Sequence, residues 1–367
     1  NIRYQFPYDP PHIPTTDKVG KIFYILGADK GIGPRTVDPG EEYNFVGVYR
    51  RSIDIEDPDK NYVISFLGVA SCLDLYLNGK FIGYSEGAHN TAEFDLSGEL
   101  VKGENELLAV VHRWCNGTYL EDQDMFRNNG LFRDVLLRVS EPTDIWDINA
   151  RTAKQGDKYS LTLTANTYTD TDVTFTVKGH GLEETKTAAA VGGVAFVTFE
   201  DLDVTEWNAE DPTLYDIYYE TKTACVKERI GFKTVEIKKD VFLVNGKKIK
   251  FKGVNHHDTS CTNGYTMTPD EIERDLLLCK DHNIDTVRTS HYPSDPLLLE
   301  LADELGIYIV DENDLETHGT SVMQLNAPGD YNAISHDPEW LPRYMERIQR
   351  RLRRGQEGTR FDFDGEN

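Results

Sequence analysis

Along roughly the first 140 residues, apolar positions recur at every second place in short runs separated by turn residues. Residues 62–66 (YVISF) and 73–77 (LDLYL) alternate in this way, and Asn78 and Gly79 then supply the pair that a tight hairpin turn requires. A further run, 106–111, follows an expected turn at Gly103, Glu104 and Asn105. The period of two predicts an all-β sandwich. Alternation continues through about 141–240, with strands expected at 159–164, 173–177 and 194–199, in a length that suits a small immunoglobulin-like β-sandwich. After about residue 241 the period changes. A strand is expected over 249–254. Thr268, Pro269 and Glu271 then provide an N-cap, a proline at the first helical position and a capping-box glutamate, opening a helix through Cys279. A second strand is expected at 284–288. It is followed by a helix from Asp295 and Pro296 with Leu298, Leu301, Ala302 and Leu305 on one face and Gly306 as its terminator. A third strand, 307–310, precedes a helix starting at Asp337 that should turn Leu341, Tyr344, Ile348 and Leu352 inward. Three β/α units in succession predict the first part of a parallel barrel.

Composition narrows the function classes. Of 367 residues, 39 are Lys or Arg against 63 Asp or Glu, a formal charge of −24 that repels phosphate backbones and argues against a nucleic-acid partner. No apolar run reaches the roughly 18 residues that span a bilayer, and the start of the chain lacks a signal-peptide pattern, so a soluble, cytoplasmic protein without membrane contact is expected. The five cysteines, Cys72, Cys115, Cys225, Cys261 and Cys279, are odd in number and scattered, which fits a reducing compartment better than a disulfide framework or zinc site. Tyr4, Phe6 and Tyr8 read as packing residues. The five arginines within 347–354 read as a solvated helix face.

In a β/α barrel the reacting groups sit where strands end. Each of the three expected strands ends in polar residues: Asn255, His256, His257 and Asp258; then Ser290, His291 and Tyr292; then Asp311 to His318. A solvated loop explains one such cluster, but not three at equivalent places. Glu316 and His318 stand two apart, so an extended backbone points both to one side, where a divalent cation could bind them. A surface loop with a Glu and a His fits the same spacing.

The segments GTYLEDQDMFR (117–127) and GLFRD (130–134) resemble the signature of glycoside hydrolase family 2 β-galactosidases. So do GVNHHD (253–258), VRTSHYP (287–293), and Asp311 and Glu312 followed by ETHG (316–319). The resemblance covers most of residues 1–354 and implies a multidomain order. A jelly-roll sugar-binding sandwich (1–140) comes first, then an immunoglobulin-like sandwich (141–240), then a truncated (β/α)8 TIM-barrel domain (241–367) carrying the first three β/α units. It implies hydrolysis of terminal non-reducing β-D-galactose, as in lactose-type substrates, by a retaining mechanism. Carried over by position, Asn1, Asp124, His257 and His291 are implied to contact the sugar. Glu316 and His318 are implied as Mg²⁺ ligands, and Asp124 as a Na⁺ ligand. Departures occur at about 20–45, which resembles an insertion, at Ser260 and Cys261, and at Asn313 and Asp314.

A retaining glycosidase needs two carboxyl groups about 5 Å apart. In the family these glutamates follow later strands, and the stretch 355–367 does not match the expected fourth strand; a shifted reading frame is one origin for it. Glu366 stands before Asn367 rather than after an Asn and is not assigned as the acid. The chain is therefore expected to lack both catalytic glutamates and to be inactive alone. The alternatives are a non-catalytic carbohydrate-binding module and a purely structural fragment. Three of eight barrel strands would leave unpaired edges, so cover is expected from neighbouring segments, from the tail or from another copy in a homo-oligomer.

Overall fold

The computed structural model describes residues 22–24, 35–37, 46–113, 115, 117–121, 123, 125, 129–317 and 338–355. Strands β1 (Ile22–Tyr24) and β2 (Arg35–Val37) pair antiparallel, within the stretch that resembles an insertion.

The first sandwich comprises β3 (Val46–Ile55), β4 (Asn61–Phe66), β5 (Val69–Ala70), β6 (Cys72–Leu77), β7 (Lys80–Glu86), β8 (Ala92–Asp95), β9 (Gly103–His112), β10 (Gly130–Leu131) and β11 (Val135–Ser140), with a single helical turn, α1 (Gly117–Leu120), between β9 and β10. They form sheets in the orders β3-β9-β6-β7 and β11-β4-β8, with β5 and β10 as a separate pair. Period-two burial produces the core: Tyr62, Ile64 and Phe66 from β4 pack with Leu73, Leu75 and Leu77 from β6. Asn78 and Gly79 both take positive φ, 50° and 79°, in the turn between β6 and β7, where a two-residue hairpin demands them. The turn expected at 103–105 is displaced. Gly103, Glu104 and Asn105 already pair with Ile55, Asp54 and Ile53 in β9. The buried Asn105 side chain closes the preceding turn from within the strand, bonding Val101 N, Val101 O and Gly103 O.

The second sandwich places β12 (Ile145–Gln155), β13 (Lys158–Thr167) and β16 (Val194–Leu202) against β14 (Asp172–Gly179), β15 (Leu182–Ala189), β17 (Tyr215–Glu220) and β18 (Cys225–Ile230). Seven strands in a three-plus-four arrangement match the strand count of a constant-type immunoglobulin sandwich. Leu161, Leu163, Phe175, Phe199 and Tyr219 fill it, and Cys225 is free and exposed.

An antiparallel meander, β19 (Val235–Lys238), β20 (Val241–Val244) and β21 (Lys247–Lys248), leads into a parallel sheet of β22 (Gly253–His256), β23 (Thr286–Thr289) and β24 (Tyr308–Val310) in sequential order. The strand expected at 249–254 is shifted toward its C-terminal side. Ile249 bonds back to Phe242 and packs with Trp207, Val244 and Tyr308, so it belongs to the contact under the sheet, not to the ladder. Helices α2 (Pro269–Asp281) and α3 (Pro296–Leu305) cover one face through Ile272, Leu276, Leu298 and Ala302, packed on Val287. Their ends follow the sequence signals: Thr268 and Glu271 complete a capping box, Asp295 caps α3, and Gly306 ends it at φ 71°. A Cβ on Gly306 would lie 2.5 Å from Ala209 O. A 3-10 turn (Pro338–Trp340) opens α4 (Leu341–Gly355), and Trp340 is buried. Among the described residues no helix is long and apolar enough to cross a membrane.

The inward face of α4 differs from expectation. Leu341 and Ile348 are exposed, and Arg347, expected on a solvated face, is 1% exposed. The surface receiving the helix explains the inversion. It offers carboxylates from the first sandwich, so guanidinium groups rather than an apolar stripe turn toward it. The side chain of Leu352 lies outside the described residues.

Candidate functional site at the strand ends

The C-terminal ends of β22, β23 and β24 meet in one place, and the first sandwich lies against them. Pairing of β23 with β22 on one side and β24 on the other sets Arg288 between Asn255 and Val310. Glu312, two residues past β24, then accepts from Arg288 Nε, and its other oxygen lies 2.9 Å from His291 Nδ1. Arg288 also reaches Asn255 Oδ1 at 3.3 Å. Arg288 lies 3.2 Å from the same His291 Nδ1, but that nitrogen cannot both donate to Glu312 and accept from a guanidinium. The shorter, charge-assisted bond decides, so Nδ1–H of His291 donates to Glu312. The His257 and His291 rings stand edge to face with centroids 5.9 Å apart. The sheet thus brings together the two histidines that the sequence placed in the site.

Behind them the contacts are buried. Tyr292 Oη accepts from Asp258 N at 3.0 Å and lies 3.4 Å from His257 Nδ1. The ring of His89, from the first sandwich, stacks on Tyr292 at 4.0 Å between centroids. Asp314, fully buried, accepts at Oδ2 from His89 N and Nδ1, each at 3.1 Å, and at Oδ1 from Gln123 Nε2 at 2.8 Å. Burial opposes ionisation of Asp314, but His89 and Arg347 outweigh it and hold the carboxyl below its ordinary value. Asp258 accepts from Arg133 and from Asp295 N, both at 3.2 Å. Burial would raise Asp258, yet His256 and Arg133 hold it down at about 2. For His256, burial is outweighed by Asp258 and Asp275, and its pKa is raised.

A second charged cluster fixes α4. Arg347 donates to Glu121 Oε1 at 2.5 Å and lies 3.6 Å from Glu86, to which Arg343 donates at 2.6 Å. Burial and the charge of Asp314 push the Glu121 carboxyl up to about 8 against the pull of Arg347. Glu86, also buried, is held below its ordinary value by Arg347 and Arg343.

Glu316 continues the polar end of β24. Its N–H donates to Leu120 O at 2.6 Å, and it forms a parallel bridge with Glu121, so the sandwich holds the chain beyond the short edge strand β24. Its carboxylate is an oxygen donor of the kind Mg²⁺ takes. His318, Asp124 and Asn1 lie outside the described residues, so neither implied metal set is complete here, and no group of three or more His, Cys, Asp and Glu among the described residues is placed to hold a metal.

Sequence reasoning found His257, His291 and Glu316 but assigned no role to His89, Arg288, Glu312, Asp314 or Arg347. The repeat of Arg343, Arg347 and Arg350 at helical spacing, opposite Leu341, Met345 and Ile348, was the available signal for a cationic inward face. Nothing near His89 signals its partner, which is 225 residues away.

The family model "Glycosyl hydrolases family 2, sugar binding domain" matches residues 32–141, and "Glycosyl hydrolases family 2, TIM barrel domain" matches 235–358. A β-galactosidase of Actinobacillus pleuropneumoniae is 36% identical over 342 residues, 92% of this chain and 31% of that protein. One of Staphylococcus xylosus is 32% identical over 357 residues, covering 95% and 33%. The chain thus spans about a third of the length of these relatives. Among solved structures, a Bifidobacterium dentium β-glucuronidase complexed with coumarin-3-O-glucuronide matches with a TM-score of 0.71 at 23% identity, over 85% of this chain and 57% of that one. A Bacteroides uniformis β-glucuronidase matches with a TM-score of 0.70 at 19% identity, over 86% and 40%. At those identities the likeness is one of fold.

Proposed function

Because this chain belongs to glycoside hydrolase family 2, we propose that it forms the sugar-recognising part of a β-galactosidase acting on terminal non-reducing β-D-galactose by a retaining mechanism. The observation that carries the reading is the convergence of three strand ends, with His257 and His291 facing each other, beside the sandwich segment that contains Glu121 and Gln123. The β-galactosidase names of the sequence relatives support galactose over glucuronic acid. In this reading His257 and His291, with Asn1 and Asp124, take the sugar hydroxyls, while Asp124 holds Na⁺ and Glu316 and His318 hold Mg²⁺.

In this reading the described residues bind and orient the sugar, and cleavage falls to other groups. A retaining reaction needs a carboxyl pair about 5–5.5 Å apart across the glycosidic bond, one acting as acid and the other as nucleophile. The carboxylates of Asp258, Glu312 and Asp314 are each committed to internal partners: Arg133; Arg288 with His291; and His89 with Gln123. Galactose titrated into the 367-residue chain by calorimetry should bind, and His291→Ala should weaken binding. A chromogenic β-galactoside should not be turned over. Absence of galactose binding to the folded chain would favour a structural fragment, and turnover lost on changing Glu316 would overturn the inactive reading.

A further inference from the structure

We propose that Asp314 is a positioning residue for both site histidines, holding His291 through Gln123 and His257 through His89 and Tyr292. The proposal rests on the reading of those histidines as sugar contacts and adds what fixes them. Asp314 has no exposed surface, and its two oxygens serve separate branches. Oδ1 accepts from Gln123 Nε2, which also lies 3.3 Å from the carbonyl of His291, so one amide ties the carboxylate to the backbone after β23. Oδ2 accepts from both the backbone N–H and the ring Nδ1 of His89, leaving that ring one orientation. The ring lies nearly parallel to Tyr292, at 17°. It thereby fixes the phenol, whose oxygen accepts from Asp258 N and stands 3.4 Å from His257 Nδ1; in this proposal the phenol proton is donated to that nitrogen.

Glu312 and Tyr292 give the two histidines so held opposite hydrogen-bonding characters. His291 donates Nδ1–H to Glu312, so in its neutral form Nε2 is an acceptor. His257 accepts at Nδ1 from Tyr292, so its Nε2–H is a donor. One donor and one acceptor on rings 5.9 Å apart suit a ligand presenting hydroxyl groups, each of which both donates and accepts. Residues from sequence positions 89, 123 and 314 thus hold in place a pair at 257 and 291 whose polarity Glu312 and Tyr292 set.

The test is imidazole ¹⁵N NMR on the whole chain, without sugar, at about pH 8, where an ordinary histidine is neutral. His257→Gln and His291→Gln supply the assignments. The native chain should show His257 as the Nε2–H tautomer and His291 as Nδ1–H with slow water exchange. Tyr292→Phe should leave His257 a mixture of tautomers with His291 unchanged. Gln123→Ala should remove the exchange protection of His291 with His257 unchanged, and Asp314→Asn should do both. A folded Asp314→Asn chain with both native signatures overturns the proposal. If that variant does not fold, a native signature on the affected histidine in either single-branch variant overturns it instead. Failure of galactose to bind would sink the functional reading and leave this result unaffected.

Discussion

Replacing Arg347 with Met tests whether the charged face of α4 docks the helix. The guanidinium is 1% exposed and stands between Glu121 and Glu86. Breaking a buried ion pair by removing one partner costs about 3–5 kcal/mol, whereas an exposed pair contributes about 0–1 kcal/mol. Glu86 keeps Arg343. Burial pushes the Glu121 carboxyl up, so it can take up a proton when its partner leaves. That relief places the expected loss at the lower end, about 3 kcal/mol near neutral pH, with a larger loss in alkali, where the orphaned carboxyl must ionise. A chain of several cores need not unfold in one step, so the assay must be local. Trypsin provides one, since α4 carries its own arginines and is protected while docked. Cleavage limited by opening should accelerate about a hundredfold for a loss of about 3 kcal/mol, and emission from the buried Trp340 should shift to the red. Arg274→Met, at an exposed arginine of α2, is the control and should change little. Cleavage accelerated less than about fivefold, a loss under about 1 kcal/mol, would refute the docking argument and restore a solvated arginine face.

Two further outcomes follow from the interface and the helix ends. Asp258 is held down from 3.8 to about 2, so its contribution is complete above its unfolded value and is lost as pH falls through the folded one. About 2.5 kcal/mol should disappear between about pH 4 and pH 2, read as a steeper acid limb in urea midpoints than in Asp258→Asn; parallel limbs would reject it. Gly306→Ala should cost more than about 1 kcal/mol, because the residue needs positive φ and its Cβ would meet Ala209 O at 2.5 Å. A thermal midpoint equal to that of the native chain would show that the α3 terminus tolerates a side chain.

Local rules reach far along this chain. Alternation located β4, β6 and β9, and Asn78 and Gly79 marked a turn because few residues accept positive φ. Thr268, Glu271, Asp295 and Gly306 marked helix ends because capping bonds span only a few residues. The parallel order of β22, β23 and β24 followed from the β/α rhythm, and the strand-end rule then pointed to His257 and His291.

What lay beyond that reach is long-range. The partners of Asp314 are His89 and Gln123, and those of Arg347 are Glu86 and Glu121, more than 190 residues away in every case. Periodicity reports which face of an element is apolar, not which surface will receive it. On α4 that gap reversed the outcome: the apolar stripe implied burial of Leu341 and Ile348, and the carboxylates of the first sandwich drew Arg347 inward instead. Sequence determined the elements and the polar strand ends through short-range bonding and side-chain period. Only the tertiary structure decided which charges neutralise one another, because an ion takes its partner from whatever surface folding brings within a few ångströms.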